Sequence, residues 1–390
     1  MELLARIAKP RPVGTPQNQE ITEDIGVYLE RCGYEVKKVP FDCKVWETQE
    51  SFLRIGEKEI GVQVSPYSEG FAGMRKAVVV TNFDELKDVA CENKLLFLTG
   101  ELTEEELQPK DYPFYYPEEH KAIIDCLEEK NPCAIISVTG KSMMSGLDPF
   151  PVIEDGNFHI PVGSIGKNDF AEVQELLSER EIEIAILSEN HGETAYQLIA
   201  SKKVPDPQGT IAICAHMDSK YHTDGALDNA SGVATMLLAA KGIKTDKYNI
   251  DIVPFNSEEY YDPQGELIYL EEIQKTGKEI ALLINIDTLA YTGSKVAVST
   301  FNIDGQEKQK LDDLKETCEN IVEGTPWYAG DHAAFVFGGT KCILLSASDL
   351  FEECIHYTHC PKDTMDRIDE GLIEDAAEYL CKVIHNYSMK

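Results

Sequence analysis

The segment that most constrains this chain is 210–232, TIAICAHMDSKYHTDGALDNASG. Thr210–Ala215 is a short, almost wholly apolar run, the pattern of a strand buried on both faces in a parallel sheet. It stops at His216, and Asp218 follows two residues later. A polar loop then reaches Asp228-Asn229-Ala230-Ser231-Gly232 and the apolar stretch Val233–Ala240. Asp228 or Asn229 can cap that stretch as a helix, and Gly232 permits close backbone packing. A His at a strand end and an Asp at the next helix start can serve one metal ion without either moving, because the sheet pins both.

The rest of the pattern sets the fold class. Gly14-Thr15-Pro16 opens a helix whose apolar positions Ile21, Ile25, Val27, Tyr28 and Leu29 stop at Cys32-Gly33. A strand-like run, Tyr34–Phe41, follows. From about Val45 to Leu187 short strand candidates dominate: Ser51–Ile55, Ala77–Val80, Lys94–Leu98, Ala134–Val138 and His159–Val162. Helical patterns there are few, chiefly Pro117–Glu129 and Asp169–Ser178. After Gln197–Ser201 strand candidates Thr210–Ala215, Asn249–Asn256, Ala281–Ile286 and Lys341–Ser346 alternate with helical stretches Asn229–Lys241, Gln264–Thr276, Gln306–Val322 and Leu372–Tyr387. The expected fold is α/β, a mostly parallel mixed sheet between helices, built from 1–45 and 188–390 and interrupted by a smaller β-rich domain at 46–187. A length of 390 residues is enough for two cores.

Bulk charge narrows the partners. The net charge of −33 leaves no basic face for phosphate neutralisation, which argues against nucleic acid and anionic membrane and favours substrates with a free amino group. Runs such as Glu104-Glu105-Glu106 read as solvated surface. The start, MELLARIAKPRPVG, lacks the apolar core of a signal peptide, and no stretch has the length of a membrane span. Eleven Cys without CxxC pairs read as reduced thiols, so the cytoplasm is the expected location.

Chemistry-bearing residues recur at the strand ends. His216 follows the first strand of the second half, Ser257-Glu258-Glu259 the next, and Asp287 the third, while the loop after the fourth holds His356 and His359. Sites in open α/β sheets form outside the carboxyl ends of strands. His216, Asp228, Glu259, Asp287 and His359 therefore form a candidate ligand set for two Zn²⁺ or similar ions. Asp228 would bridge, with His216 and Asp287 on one ion and Glu259 and His359 on the other. Two ions about 3.5–4 Å apart can hold a water between them, and Glu258, adjacent to a ligand, is then the general base. Asp218 is placed to accept a hydrogen bond from the second ring nitrogen of His216. Singly, each motif is an ordinary surface pair or helix cap; their joint occurrence at successive strand ends is what points to a metal centre.

With those residues in place, the chain resembles the co-catalytic zinc peptidases that include aminopeptidase Y and the glutamate carboxypeptidases. The matching pieces are His216-Met217-Asp218, Ala226-Leu227-Asp228-Asn229-Ala230-Ser231-Gly232, Asn256-Ser257-Glu258-Glu259 and Asn285-Ile286-Asp287. Gly330-Asp331-His332-Ala333-Ala334-Phe335, the run His359-Cys360-Pro361-Lys362-Asp363-Thr364-Met365-Asp366 and the entry segment Arg11–Pro16 extend the match over 1–45 and 189–390. Ile160–Ile165 resembles part of a protease-associated (PA) domain, as many members carry. The resemblance implies the ligand and base assignments above, Asp218 behind His216, and a cis peptide after Asp228. It also implies supporting positions for Asp331 and Asp363. Tyr328, three residues before Asp331, is either an oxyanion-supporting hydroxyl or, with Trp327, a pocket wall. The family's usual Thr after the last His is Cys360 here, and His356 competes for the ligand role; the offset to Asp363-Thr364 favours His359. His222 and His332 read as structural or supporting, and Cys354 and Cys360 lack a ligand's context.

The expected reaction is release of N-terminal residues from peptides by a metallo-aminopeptidase. A carboxypeptidase or dipeptidase of the same family needs a carboxylate clamp, usually Arg; Arg367 is the only Arg between Ser201 and Lys390, which favours the aminopeptidase, while Lys residues or Arg6, Arg11 and Arg31 could still serve a carboxylate. A single-zinc enzyme of the glutaminyl cyclase kind, or a non-catalytic scaffold, would differ in metal stoichiometry.

Overall fold

A computed structural model describes residues 2–178 and 180–389. It divides into two compact units, Met1–Cys43 with Thr194–Lys390, and Lys44–Glu193.

The first unit is built on an eight-stranded mixed sheet. Its order is Glu35–Thr48, Ser188–Lys202, Asn249–Phe255, Thr210–His216, Ile280–Ile286, Cys342–Ala347, Val296–Phe301 and Ile321–Glu323. The four central strands run parallel, whereas Ser188–Lys202 and Val296–Phe301 join them antiparallel. Residues of the apolar runs alternate between two cores. Ile211, Ile213 and Ala215, with Ile250, Ile252, Leu282, Ile284, Ile343 and Leu345, face the helices Pro16–Arg31, Ser231–Gly242 and Glu370–Ser388. Ala212, Cys214, Val253, Leu283 and Leu344 face the opposite layer, with Tyr269 and Phe335 from helices Gln264–Thr276 and Ala333–Phe337. Burial on both sides is why these strands read as continuous apolar runs rather than as an alternation. Register brings the carboxyl ends level: His216 pairs with Phe255, Cys214 with Asn285 and Ile286 with Leu345.

Several elements differ from the sequence expectation. The stretch 306–322 is not one helix: the helix Gly305–Glu316 ends at Thr317, and Ile321–Glu323 becomes an edge strand beside Val296–Phe301. Strand Val296–Phe301 carried no expectation; it lies between Cys342–Ala347 and the edge strand Ile321–Glu323. The helix expected from Asn229 begins at Ser231, because Asp228 and Asn229 have non-helical backbone angles and the peptide between them is cis.

The second unit holds another eight-stranded sheet, ordered Phe71–Arg75, Ile182–Ile186, Ser51–Ile55, Lys58–Val64, Val162–Gly166, Ala134–Thr139, Leu95–Leu98 and Ala77–Val80. The first five strands are joined antiparallel and the last four parallel. The strand expected at His159–Val162 lies instead at Val162–Gly166. Its core gathers Leu96, Leu98, Ile135 and Val162 with Ile124 and Leu127 of helix Glu118–Lys130.

Candidate metal centre

The strand ends deliver their polar residues to one place. His216 closes its strand; Phe255 is followed by Asn256-Ser257-Glu258-Glu259; Ile286 by Asp287. The turn Ala226–Ala230 brings in Asp228, and the loop after Cys342–Ala347 brings in His359. His216 Nε2 lies 3.0 Å from Asp228 Oδ1 and 3.6 Å from Asp287 Oδ1. His359 Nε2 lies 3.0 Å from Asp228 Oδ2 and 3.1 Å from Glu259 Oε1. Two trios result, His216–Asp228–Asp287 and Asp228–Glu259–His359, each offering ligand atoms within 4.8 Å of one another. Each oxygen of Asp228 faces a different imidazole, the placement a bridging carboxylate requires. Among the described residues these are the groups able to hold a metal, and His356, Cys354 and Cys360 belong to neither.

The donor set fits a cation. Glu259 Oε1, although 3.1 Å from His359 Nε2, has no hydrogen-bond partner, so these atoms converge on a shared point rather than bonding to each other. Burial disfavours charge on both rings. Yet Glu258, with Asp228 and Asp287, outweighs it at His216, and Glu259, with Asp228, outweighs it at His359. Both imidazoles are held well above their ordinary range, so the cluster draws in positive charge. Three carboxylates and two imidazoles are a donor set that a divalent ion can satisfy.

A buried layer fixes these groups. Asn229 Nδ2 donates to Ile286 O at 2.8 Å, and its Oδ1 accepts from Gly232 N at 3.0 Å, tying the turn to the strand that ends beside Asp287. Asp363 accepts from Leu227 N at 2.6 Å and Asp228 N at 3.1 Å. Burial pushes its carboxyl up to about 7, with those two donors opposing. Asp218 departs from the sequence expectation. Its Oδ1 is 3.8 Å from His216 Nδ1, too far for a hydrogen bond, and its carboxylate instead accepts from Glu258 N at 3.3 Å and Glu259 N at 3.1 Å. It holds the turn that carries the candidate base, because two adjacent backbone donors outcompete one more distant ring nitrogen.

Glu258 is half-buried, and burial raises its carboxyl well above the usual range, with Glu259, Asp287 and Asp228 adding and His216 opposing. Asp331 is buried with both carboxylate oxygens unpartnered, raised by burial and by Glu266. Tyr328 is 55% exposed, stacked on Phe337 at 5.8 Å and edge-on to Phe301 at 5.2 Å. His332 is buried and supporting: Nδ1 lies 3.2 Å from Asn285 Nδ2 and Nε2 lies 2.9 Å from Trp327 O.

Two residues carry more than their sequence context suggested. Arg11 is fully buried and donates to the carbonyls of Lys9, Met217, Asp224 and Gly225, so it braces the loop behind His216 and has no fork left for a substrate carboxylate. Asn18 exchanges amide hydrogen bonds with Asn256 at 2.8 and 3.1 Å, fastening the first long helix to the strand end before Glu258. The sequence signals were the entry segment Arg11–Pro16, which carried no role for Arg11 itself, and an Asn in a first helical turn.

Comparison with known proteins gives consistent matches. A family described as peptidase family M28 matches residues 197–384. Aminopeptidase YwaD of Bacillus subtilis (strain 168) is 25% identical over 248 residues, covering 60% of this chain and 53% of the relative. The chain thus spans about half the length of that curated relative. An aminopeptidase from Aneurinibacillus sp. strain AM-1 superposes with a TM-score of 0.75 at 18% identity, over 99% of this chain and 92% of that one. BSAP, described as a zinc aminopeptidase from Bacillus subtilis, gives 0.70 at 18% identity, over 99% and 93%. At that identity the two structures speak to the fold.

Proposed function

We propose that this chain, whose residues 197–384 match peptidase family M28, is a zinc aminopeptidase of that family with two metal positions, releasing N-terminal residues from peptides. The observation that carries the reading is the pair of trios sharing Asp228, with Glu258 beside them. His216, Asp228 and Asp287 would hold one ion and Asp228, Glu259 and His359 the other. Zinc bound there would supply Lewis acidity toward a peptide carbonyl and acidify water.

The remaining steps fall to the chain's own residues. Glu258 accepts a proton from the attacking water at its carboxylate and returns it to the departing amine. Asp218 positions Glu258 by accepting its backbone N–H. Asp363 and Asn229 hold Asp228 through the turn on either side of it. A free N-terminus is attracted by the acidic surroundings. Two candidate clamps for a C-terminal carboxylate are engaged elsewhere: Arg11 is consumed by backbone carbonyls, and Arg367 stacks on the Tyr357 ring at 3.9 Å. Lys44–Glu193 is read as a protease-associated-like module. Eleven free thiols fit a reducing compartment, and we place the protein in the cytoplasm.

The test is a turnover screen of aminoacyl-p-nitroanilides and free, N-blocked and C-blocked dipeptides, with metal analysis of the same sample. Two ions per chain and cleavage only with a free N-terminus are expected. Loss on blocking the C-terminus would reassign the chain to the carboxypeptidase or dipeptidase reading, one ion to the cyclase-like reading, and none to a scaffold. Glu258→Gln should retain both metals and lose turnover by about 10³-fold. Near-normal turnover in that variant would remove Glu258 from the role of base.

A further inference from the structure

The loop after His216 serves two places. Its Lys220 reaches the trios, with Nζ 3.8 Å from Glu259 Oε2. Its next two residues, Tyr221 and His222, line a groove of about 520 Å³ together with Pro10, Pro12 and Pro16 of the entry segment. Rings dominate the lining: the Tyr221 and His222 rings stand 6.2 Å apart, and three pyrrolidines complete it. These walls are fixed before any ligand arrives. Arg11, set between two of the prolines, donates to the carbonyls of Met217, Asp224 and Gly225, and its backbone N–H to Ser219 Oγ at 3.0 Å. Thr15 Oγ1 donates to Pro12 O at 2.7 Å, so entry segment and loop are locked together. His222 takes a left-handed backbone, φ 64°, although its side chain is exposed. That conformation is uncommon in a residue with a side chain, and no burial of the imidazole offsets its cost.

We infer that this groove binds the part of a peptide substrate that follows the cleaved bond, up to its fourth residue, so that the chain prefers oligopeptides with apolar or ring side chains there over dipeptides. The inference rests on the aminopeptidase reading above. A free N-terminal residue has nothing before it, so only the downstream chain can run outward from the metal positions. Three or four extended residues span about 10–14 Å, enough to pass Lys220 and reach the two rings that follow it in sequence. The volume is within the usual range of small-ligand sites, and a rigid ring-lined surface binds apolar side chains at low ordering cost. Glu20, also in the lining, sets the sign of the charge preference: its carboxylate favours a basic residue in the groove and repels an acidic one.

The experiment uses the full chain with zinc and compares kcat/KM for peptides with a free N-terminus and an amidated C-terminus: Leu-Gly, Leu-Gly-Phe-Gly, Leu-Gly-Phe-Lys and Leu-Gly-Phe-Glu. Wild type should favour Leu-Gly-Phe-Gly over Leu-Gly by about tenfold or more, the worth of one buried ring. It should favour the Lys peptide over the Glu peptide by about threefold, as expected of an exposed charge pair. Tyr221→Ala should bring the length ratio close to one, and Glu20→Lys should invert the charge ratio. Each ratio is read within one protein, so a variant that folds only in part lowers both rates alike and leaves the ratio unmoved. Equal kcat/KM for Leu-Gly and Leu-Gly-Phe-Gly in wild type, or ratios unmoved in both variants, would overturn the inference and leave the aminopeptidase reading standing. No turnover of any of the four peptides by wild type would overturn that reading and the inference with it.

Discussion

Burial pushes the Glu266 carboxyl up to about 7, with Asp218 adding to the rise and a backbone donor in its own helical turn opposing it. Its ordinary value is 4.5, so between these limits the folded chain keeps a proton that the unfolded chain has released. Stability from this group is therefore complete below the lower value and is lost as pH rises through the upper one, by about 3 kcal/mol. Glu266→Gln should remove that slope. Urea unfolding of metal-depleted protein at roughly pH 5 and pH 7.5 checks it, and wild type should lose about 2 kcal/mol more over the interval than the variant. Equal losses would show that Glu266 is already ionised in the fold. Such a residue is hard to find in sequence, because an acid in a first helical turn matches the helix dipole and reads as surface. His216 and Asp287 were legible for the opposite reason: each interrupts an apolar run, where such a residue has no structural reason to stand, and Glu259 follows the apolar strand Asn249–Phe255 at the matching end.

At the scale of elements, the site depends on how closely helix Ser231–Gly242 approaches strand Ile280–Ile286. Gly232 sets that approach. A Cβ built there would lie 2.1 Å from Asn229 Oδ1 and 2.7 Å from Ile286 O. Neither can retreat without moving the turn that carries Asp228 or the strand end that carries Asp287. Gly232→Ala should therefore cost about 2 kcal/mol of stability and also weaken zinc binding. Gly192→Ala is the control, since nothing lies within 4 Å of a Cβ there. Stability measured by urea unfolding and affinity by zinc titration should fall together in the first variant and in neither measure in the second. Gly232 was expected to allow close packing, and the sequence also carried the central strands and the long helices, whose apolar periods are unambiguous. The edge of the sheet was not legible. The edge strand Ile321–Glu323 lies in 306–322, which keeps a helical composition past Thr317, where pairing of Ile321 with Val296 of the next strand in decides the outcome. Long-range pairing of that kind leaves no local trace.

For the whole molecule, the boundary between units falls inside the strands Glu35–Thr48 and Ser188–Lys202, at Cys43 and Thr194. No linker composition marks it, which is why a change in texture placed it at 45 and 188 instead. Each unit has its own apolar core, and every residue of the two trios belongs to the first unit. A ligand that binds only the folded form stabilises the unit that holds it, by about 3 kcal/mol when its concentration is a hundredfold above the dissociation constant. In a unit of this size that corresponds to roughly 5–10 °C. Calorimetry of the full chain should accordingly resolve two transitions, with zinc removal lowering one by that amount and leaving the other in place. The transition that stays should coincide with that of 44–193 expressed alone. A single transition that moves as a whole would mean that the two cores melt as one cooperative body. Movement of the 44–193 transition in isolation on zinc removal would place a metal outside the trios.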